Sequence, residues 1–181
     1  IVLDAGHGGH DPGARGNGLR EKEITLDVVK RLGKLIETRT DIEVIYTRDK
    51  DVFVPLWERT KIANEAGGKV FLSIHVNANK NKKASGFETY LLRPGKTDAA
   101  VAVAEMENAV IKLEKSTDQY DKLSAEQLIL ATMAQSSFMH QSETLADLTQ
   151  SEFDKKLVGQ NRGVKQAGFI VLIGASMPNV L

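Results

Sequence analysis

Two histidines and one glutamate carry the chemistry this sequence offers. His7 lies in IVLDAGHGGHDPG, residues 1–13, with glycines at positions 6, 8, 9 and 13. Glycines let a backbone turn sharply and approach another group closely. A histidine just past a strand end in such a loop can present a bare imidazole nitrogen to a metal. The same loop also reads as a glycine-rich turn with a surface histidine. His75 closes a second apolar run, KVFLSIH (69–75). Glu21 opens an apolar-periodic stretch, where a carboxylate also serves simply by facing the positive end of a helix dipole. Two histidines and one glutamate with an open fourth position make a catalytic zinc arrangement. Structural zinc sites fill all four positions, usually with cysteine, and this chain has none. No short motif such as HExxH joins His7 to His75, so the fold must bring them together.

The elements that would do so follow from periodicity. Ile1, Val2 and Leu3 read as a short buried strand ended by Asp4, Ala5 and Gly6. Ile24, Val28, Val29, Leu32, Leu35 and Ile36 recur at helical spacing, with Glu21 and Glu23 in the first turn. Residues 43–47 predict a second strand, 56–66 a second helix ended by Gly67-Gly68, 69–75 a buried strand and 86–92 a half-exposed one. Strands alternating with helices predict an α/β fold: a mostly parallel twisted sheet with helices on both faces. In such sheets the carboxyl ends of the strands face one crevice, where ligands bind. That places His7, His75 and Glu21 on one side. From Asp98 to about Phe153 the pattern is helical almost throughout. One helix is capped by Thr97 or Asp98 and carries Val101, Ala104, Ala109, Val110 and Leu113. After a polar connector, a capping box at 124–127 opens a second, with Leu128, Ala131, Met133, Phe138, Leu145 and Leu148. Phe169–Leu172 and the residues after Pro178 read as strands.

A chain of 181 residues is one domain, or one domain with a large insertion. Hydrophobic content of 41% suffices for a core, and a net charge of zero points to no nucleic-acid or membrane partner. The charge is unevenly spread: +4 over 1–97, −6 over 98–158 and +2 over 159–181. The helical stretch 98–153 is thus an acidic insertion in a basic frame. Absence of cysteine excludes disulfides and a cysteine nucleophile. No apolar run approaches the roughly 18 residues that span a bilayer. No signal peptide is visible. Both ends lie inside apparent strands, so the expectation is that both are cut and that a targeting segment is missing. GHGGHDPG lacks the Gly-Lys-Ser/Thr ending of a nucleotide-binding loop. His10 reads as a loop residue that supports a metal ligand from behind or faces substrate. Asn77 and Asn79 could contact substrate or orient the His75 loop. Arg59 reads as an anchor that uses its fork of hydrogen bonds, and His140 as solvated.

The stretches DAGHGGHDPGARG, LREKEITLDVVKRL, ERTKIANEAGGKVFLSIHVNAN, SGFETYLL and NRGVKQAGFIVLIGASMPNVL resemble the zinc-dependent N-acetylmuramoyl-L-alanine amidases of bacterial cell walls. The resemblance covers most of 1–97 and 161–181. It implies one zinc ion held by His7, Glu21 and His75, with the REK position selecting Glu21 over Glu23. It implies a hydrolase of peptidoglycan that cuts the amide between the lactyl group of N-acetylmuramic acid and L-alanine. The implied location is extracytoplasmic, periplasmic or in the cell envelope, with roles in cell separation or remodelling. The family's general base is a glutamate in a V-E-x-G-F stretch that falls just past Leu181, so no residue of 1–181 is assigned that role. Some family members carry a helical insertion that lies across the zinc and supplies a carboxylate until a partner protein displaces it. On that resemblance, 98–153 is expected to be autoinhibitory, with Glu107 as the blocking carboxylate and Glu114 next, and an activator protein is expected. An acidic segment over a cationic site is electrostatically apt. Two alternatives stand beside this reading. One is a peptidoglycan-binding or regulatory module that keeps zinc but is catalytically impaired; the other is a related zinc peptidase or deacetylase.

Overall fold

Strand β1 (Val2–Ala5) is buried along its whole length. Val2 packs with Leu56, Ala63 and Phe71 on one face, and Leu3 and Ala5 pack with Val29 and Val44 on the other. Alternate side chains of a strand point to opposite faces, so a run apolar at consecutive positions suits the centre of a sheet covered on both sides. The computed structural model describes residues 1–78, 84–117, 120 and 125–181, with the backbone alone over 125–136. Strands β4 (Ile45–Tyr46), β1, β5 (Phe71–Ile74) and β8 (Asn179–Val180) lie in that order, and every pairing is parallel. Strands β6 (Phe87–Leu92) and β7 (Asn161–Ala167) form a second parallel pair. Tyr90 and Leu181 exchange both backbone hydrogen bonds, 2.7 and 3.1 Å, and so join that pair to the β8 edge. Between β1 and the first helix, β2 (Arg15–Gly16) and β3 (Leu19–Arg20) make a small hairpin. Its turn is Asn17-Gly18, both at positive φ, as a two-residue hairpin turn requires.

Helix α1 (Glu21–Arg39) covers one face; α2 (Leu56–Glu65) covers the other, together with a 3-10 turn at Ile170–Leu172. The expected mostly parallel sheet with helices on both faces is the observed architecture. Two local expectations are corrected. The buried side of α1 runs through Lys22, Thr25, Val29 and Gly33, whereas Val28 and Leu35 stand 41% and 44% exposed. Short side chains win this face because the Thr25 hydroxyl must reach the carbonyl of Gly6 (2.9 Å) and the Tyr46 ring lies against Gly33. Phe169–Leu172 is not a strand. Its side chains fill the main core as a tight turn, and the strand is the preceding, more polar Asn161–Ala167.

The stretch 98–153 divides into unlike parts. Helix α3 (Asp98–Asn108) is capped by the Thr97 hydroxyl, which accepts from the Ala100 amide, and continues into a 3-10 turn at Ala109–Leu113. Helix α4 (Ala125–Lys156) is a layer of the fold: Ala146 packs against Leu91 and Val180, and Gln150 meets Thr89 of β6 at 2.9 Å. The side chains of the predicted capping box, and those of Leu128, Ala131 and Met133, lie outside the described residues. Among the described residues no helix is long and apolar enough to cross a membrane.

Candidate metal centre

Parallel pairing of β1 with β5 sets Ala5 opposite Ile74, and the Gly6 amide donates to the Ile74 carbonyl at 3.0 Å. His7 and His75 therefore leave the sheet side by side, at the carboxyl ends of adjacent strands. The His75 ring rests on Gly6, where an added Cβ would come within 2.5 Å of it. Gly13 is needed twice: its φ is +64°, and a Cβ there would stand 2.6 Å from the His7 ring and 2.7 Å from Glu21 Oε2. His7 itself holds φ +61°, a conformation non-glycine residues rarely adopt. Buried cations fix that loop by its carbonyls. Arg59 donates to His7 O (3.0 Å) and Ala5 O (2.7 Å), Arg48 to Gly6 O (2.8 Å) and Ala5 O (2.9 Å), and Lys22 to Gly9 O (2.7 Å).

Glu21, the first residue of α1, is held from both sides. Its Oε1 accepts from the Val76 amide at 2.7 Å and its Oε2 from the Ala14 amide at 2.8 Å. The same oxygens lie 3.2 Å from His75 Nδ1 and 3.2 Å from His7 Nε2. A fourth group joins them. Glu107, in the last turn of α3, places Oε2 at 2.8 Å from His75 Nδ1 and 3.2 Å from His7 Nε2. One donor atom from each of His7, Glu21, His75 and Glu107 lies within 4.8 Å of all the others.

Among the described residues, His7 Nε2, His75 Nδ1 and Glu107 Oε2 are buried and have no hydrogen-bond partner. Buried polar atoms are normally paired, so unpaired nitrogens aimed at one point fit a metal. The donor set, imidazole and carboxylate, suits zinc. Asp11 completes the His7 side: its Oδ2 lies 2.7 Å from Nδ1, which keeps the proton there and leaves Nε2 bare. Asp11→Asn should weaken zinc affinity about tenfold with little loss of stability, as read by competition with a chelator.

The charges tell the same story. Burial pulls the His7 pKa down, but Asp11, Glu107 and Glu21 outweigh it and raise it to about 11. Glu107 and Glu21 likewise override burial at His75, raising it to about 9. Burial would push both carboxyls up, yet the histidines hold Glu21 and Glu107 well below the usual carboxylate range. The site calls for positive charge, and without a metal it takes protons. Zinc must bind the neutral imidazoles, and a raised pKa means a proton is present at lower pH. Uptake at pH 7 should therefore release about two protons per ion, with affinity climbing as pH rises toward 9. Calorimetry in buffers of different ionisation enthalpy reads this directly; release of no protons would contradict it.

A sequence profile of the family described as N-acetylmuramoyl-L-alanine amidase matches residues 1–181. The chain belongs to the N-acetylmuramoyl-L-alanine amidase family. It is 33% identical to N-acetylmuramoyl-L-alanine amidase AmiA of Escherichia coli (strain K12) over 186 residues, covering all of this chain and 63% of that protein. It is 33% identical to LytC of Bacillus subtilis (strain 168), covering all of this chain and 28% of that protein. Among solved structures, the amidase AmiC2 of Nostoc punctiforme matches with a TM-score of 0.69 and 28% identity, over 99% of this chain and 75% of that one. The chain thus spans less than two thirds of the length of these curated relatives.

Other residues singled out in this amidase-family sequence fall outside the cluster. His10 stacks on Phe53 and its Nε2 meets the Leu113 carbonyl at 3.1 Å, so it faces the α3 segment. Asn77 donates to Glu88 at 2.5 Å. Asn79 lies outside the described residues. His140 is exposed. Glu114 stands away from the cluster, where its Oε1 accepts from the Leu56 amide at 2.9 Å. Sequence reasoning missed Asp11 and Arg48. The spacing of four between His7 and Asp11 signals contact on a helix but carries no such meaning in a glycine loop.

Proposed function

We propose that this chain is the metal-binding domain of a zinc-dependent N-acetylmuramoyl-L-alanine amidase. Its substrate is peptidoglycan, and the bond it cuts is the amide between the lactyl group of N-acetylmuramic acid and L-alanine. The observation that carries this is the convergence of His7 Nε2, His75 Nδ1 and the Glu21 carboxylate on one buried point, with both nitrogens unpaired. His7, Glu21 and His75 would hold a zinc ion there, which would supply Lewis acidity toward a carbonyl and a bound water. The chain's own groups do the rest of the positioning. Asp11 fixes the His7 tautomer, the Val76 and Ala14 amides aim the Glu21 carboxylate, and Leu56 and Val171 wall the site. Hydrolysis turns the lactyl amide into a carboxylate and frees the amine of L-alanine. Mass spectrometry of digested sacculi should show that new amine; released acetate would instead mean a deacetylase, and a freed internal peptide amine a peptidase.

We infer that Glu107, whose Oε2 lies against both histidines, is a blocking carboxylate in the place a substrate carbonyl would need, and that an activator protein relieves this block outside the cytoplasmic membrane. The block resides in α3 and its following turn, since α4 covers the sheet. Removing all of 98–153 would strip that cover, and the cleaner variant is Glu107→Ala. It should raise basal hydrolysis by the full-length protein about tenfold, with zinc content unchanged. Unchanged hydrolysis would refute the block while leaving the amidase reading in place.

A further inference from the structure

We propose that Glu114 and Tyr120 are a latch that keeps the Glu107 segment closed by capping helix α2 from outside. The proposal rests on the reading of Glu107 as the blocking group and names what holds it there.

The first amides of a helix have no partner within it. Helix α2 follows Pro55, and no side chain of its own caps it. Its first two amides are satisfied from far along the chain. Leu56 N donates to Glu114 Oε1 at 2.9 Å, and Trp57 N donates to the Tyr120 hydroxyl at 3.3 Å. The Tyr120 hydroxyl in turn donates to Glu114 Oε1 at 2.7 Å. A carboxylate is favoured at this end of a helix by the dipole as well as by the hydrogen bonds.

Glu114 directly follows the 3-10 turn Ala109–Leu113, which itself continues the helix that carries Glu107. Seating Glu114 on α2 therefore fixes how far Glu107 can withdraw. Besides Glu107 itself, neutral hydrogen bonds among the described residues also pin the segment. Asn108 donates to Gly168 O at 2.8 Å and accepts from Ile170 N at 2.9 Å, and His10 meets Leu113 O. Glu114 adds a charged contact to these. Its second oxygen, Oε2, is buried with no hydrogen-bond partner among the described residues. A carboxylate desolvated at one oxygen holds its seat only while the other keeps its donors, so the contact is poised to open as a unit. Leu56 also lines the cavity shared by His7, His75 and Glu107, which puts latch and site on the same residue.

Hydrogen–deuterium exchange on the whole chain tests this. In Glu114→Ala, exchange over residues 98–113 and at the Leu56 and Trp57 amides should quicken about tenfold, and in Tyr120→Phe about threefold, with β1 and β5 unchanged. Glu37→Ala, an exposed position on α1, serves as the control. Exchange over 98–113 equal to wild type in both variants overturns the latch, as does a rise matched in β1 and β5, which would mean general destabilisation. Basal hydrolysis by the full-length protein separates the two readings. If Glu107→Ala releases activity while both latch variants exchange like wild type, the block stands and the latch is wrong. If Glu107→Ala releases none, the block fails, and the exchange data still decide whether Glu114 holds the segment.

Discussion

His75→Ala should leave the protein without bound zinc and lower hydrolysis of peptidoglycan at least about a thousandfold, the several kcal/mol that Lewis acidity contributes to an amide transition state. The His75 side chain is 5% exposed and its Nδ1 lies within 3.2 Å of both cluster carboxylates. Losing it removes one of two neutral donors and leaves Glu21 and Glu107 facing each other with only His7 between them. Glu21 cannot swing to compensate, because both its oxygens are held by backbone amides. Metal analysis after dialysis should fall from one zinc per chain to background. Circular dichroism should stay native, since the ring sits on Gly6 beyond the carboxyl ends of β1 and β5 rather than in the apolar core. His140→Ala, on an exposed side chain, should change neither quantity. Full zinc occupancy in His75→Ala would mean that the cluster is not the metal site.

How much of this was legible follows from the kind of signal each residue carries. His7 and His75 could be placed together because each ends an apolar run, and neighbouring parallel strands end on the same side. Glu21 could be placed because it begins the helix after the first strand. Glu107 came only through resemblance: on periodicity alone it is one more glutamate of a helix, and its 4% exposure depends on how α3 is docked. Phe169–Leu172 misled because a short apolar run reads the same whether it is a strand or a buried turn. Asn161–Ala167 went unread for the opposite reason, being a half-exposed outer strand with few apolar residues. The acidic charge of 98–158 drew one boundary around two structures. Charge reports which residues meet water, and α4 is acidic outside while burying Ala146 against the sheet. Glu114 illustrates the limit most sharply: its capping of α2 joins residues 58 apart, beyond any local pattern.

The buried cations beneath the His7 loop lead to the second large effect. Arg59→Leu should destabilise the metal-free protein by about 3–5 kcal/mol, because it leaves a buried charge without its partner. The Arg59 side chain is 1% exposed and Asp4 is fully buried, with Nη1 and Oδ1 2.8 Å apart. Asp4 also accepts from Thr47 and Ser73, each at 2.6 Å, so this carboxylate ties β1 to the end of β4 and to β5. Burial alone would raise the Asp4 pKa, but Arg59, Ser73 and Thr47 together hold it below 3.8. A lowered folded-state pKa gives stability that is present above 3.8 and is lost as pH falls through the folded value. The variant carries the opposite burden, a desolvated carboxylate relieved by protonation. The gap between wild type and Arg59→Leu should therefore be widest near pH 7 and narrow as the pH falls toward 4. Thermal melts should show a drop of about 10 °C at pH 7. Arg59→Lys should recover only part, since one ammonium cannot reach Asp4, Ala5, His7 and Val54 at once. The lost donor to His7 O gives a second readout. The residue at φ +61° that aims a donor nitrogen is then held less firmly, so zinc affinity should fall beyond what the lost stability explains. A variant as stable as wild type at pH 7 would show that the backbone, not the arginine, holds Asp4 and the loop in place.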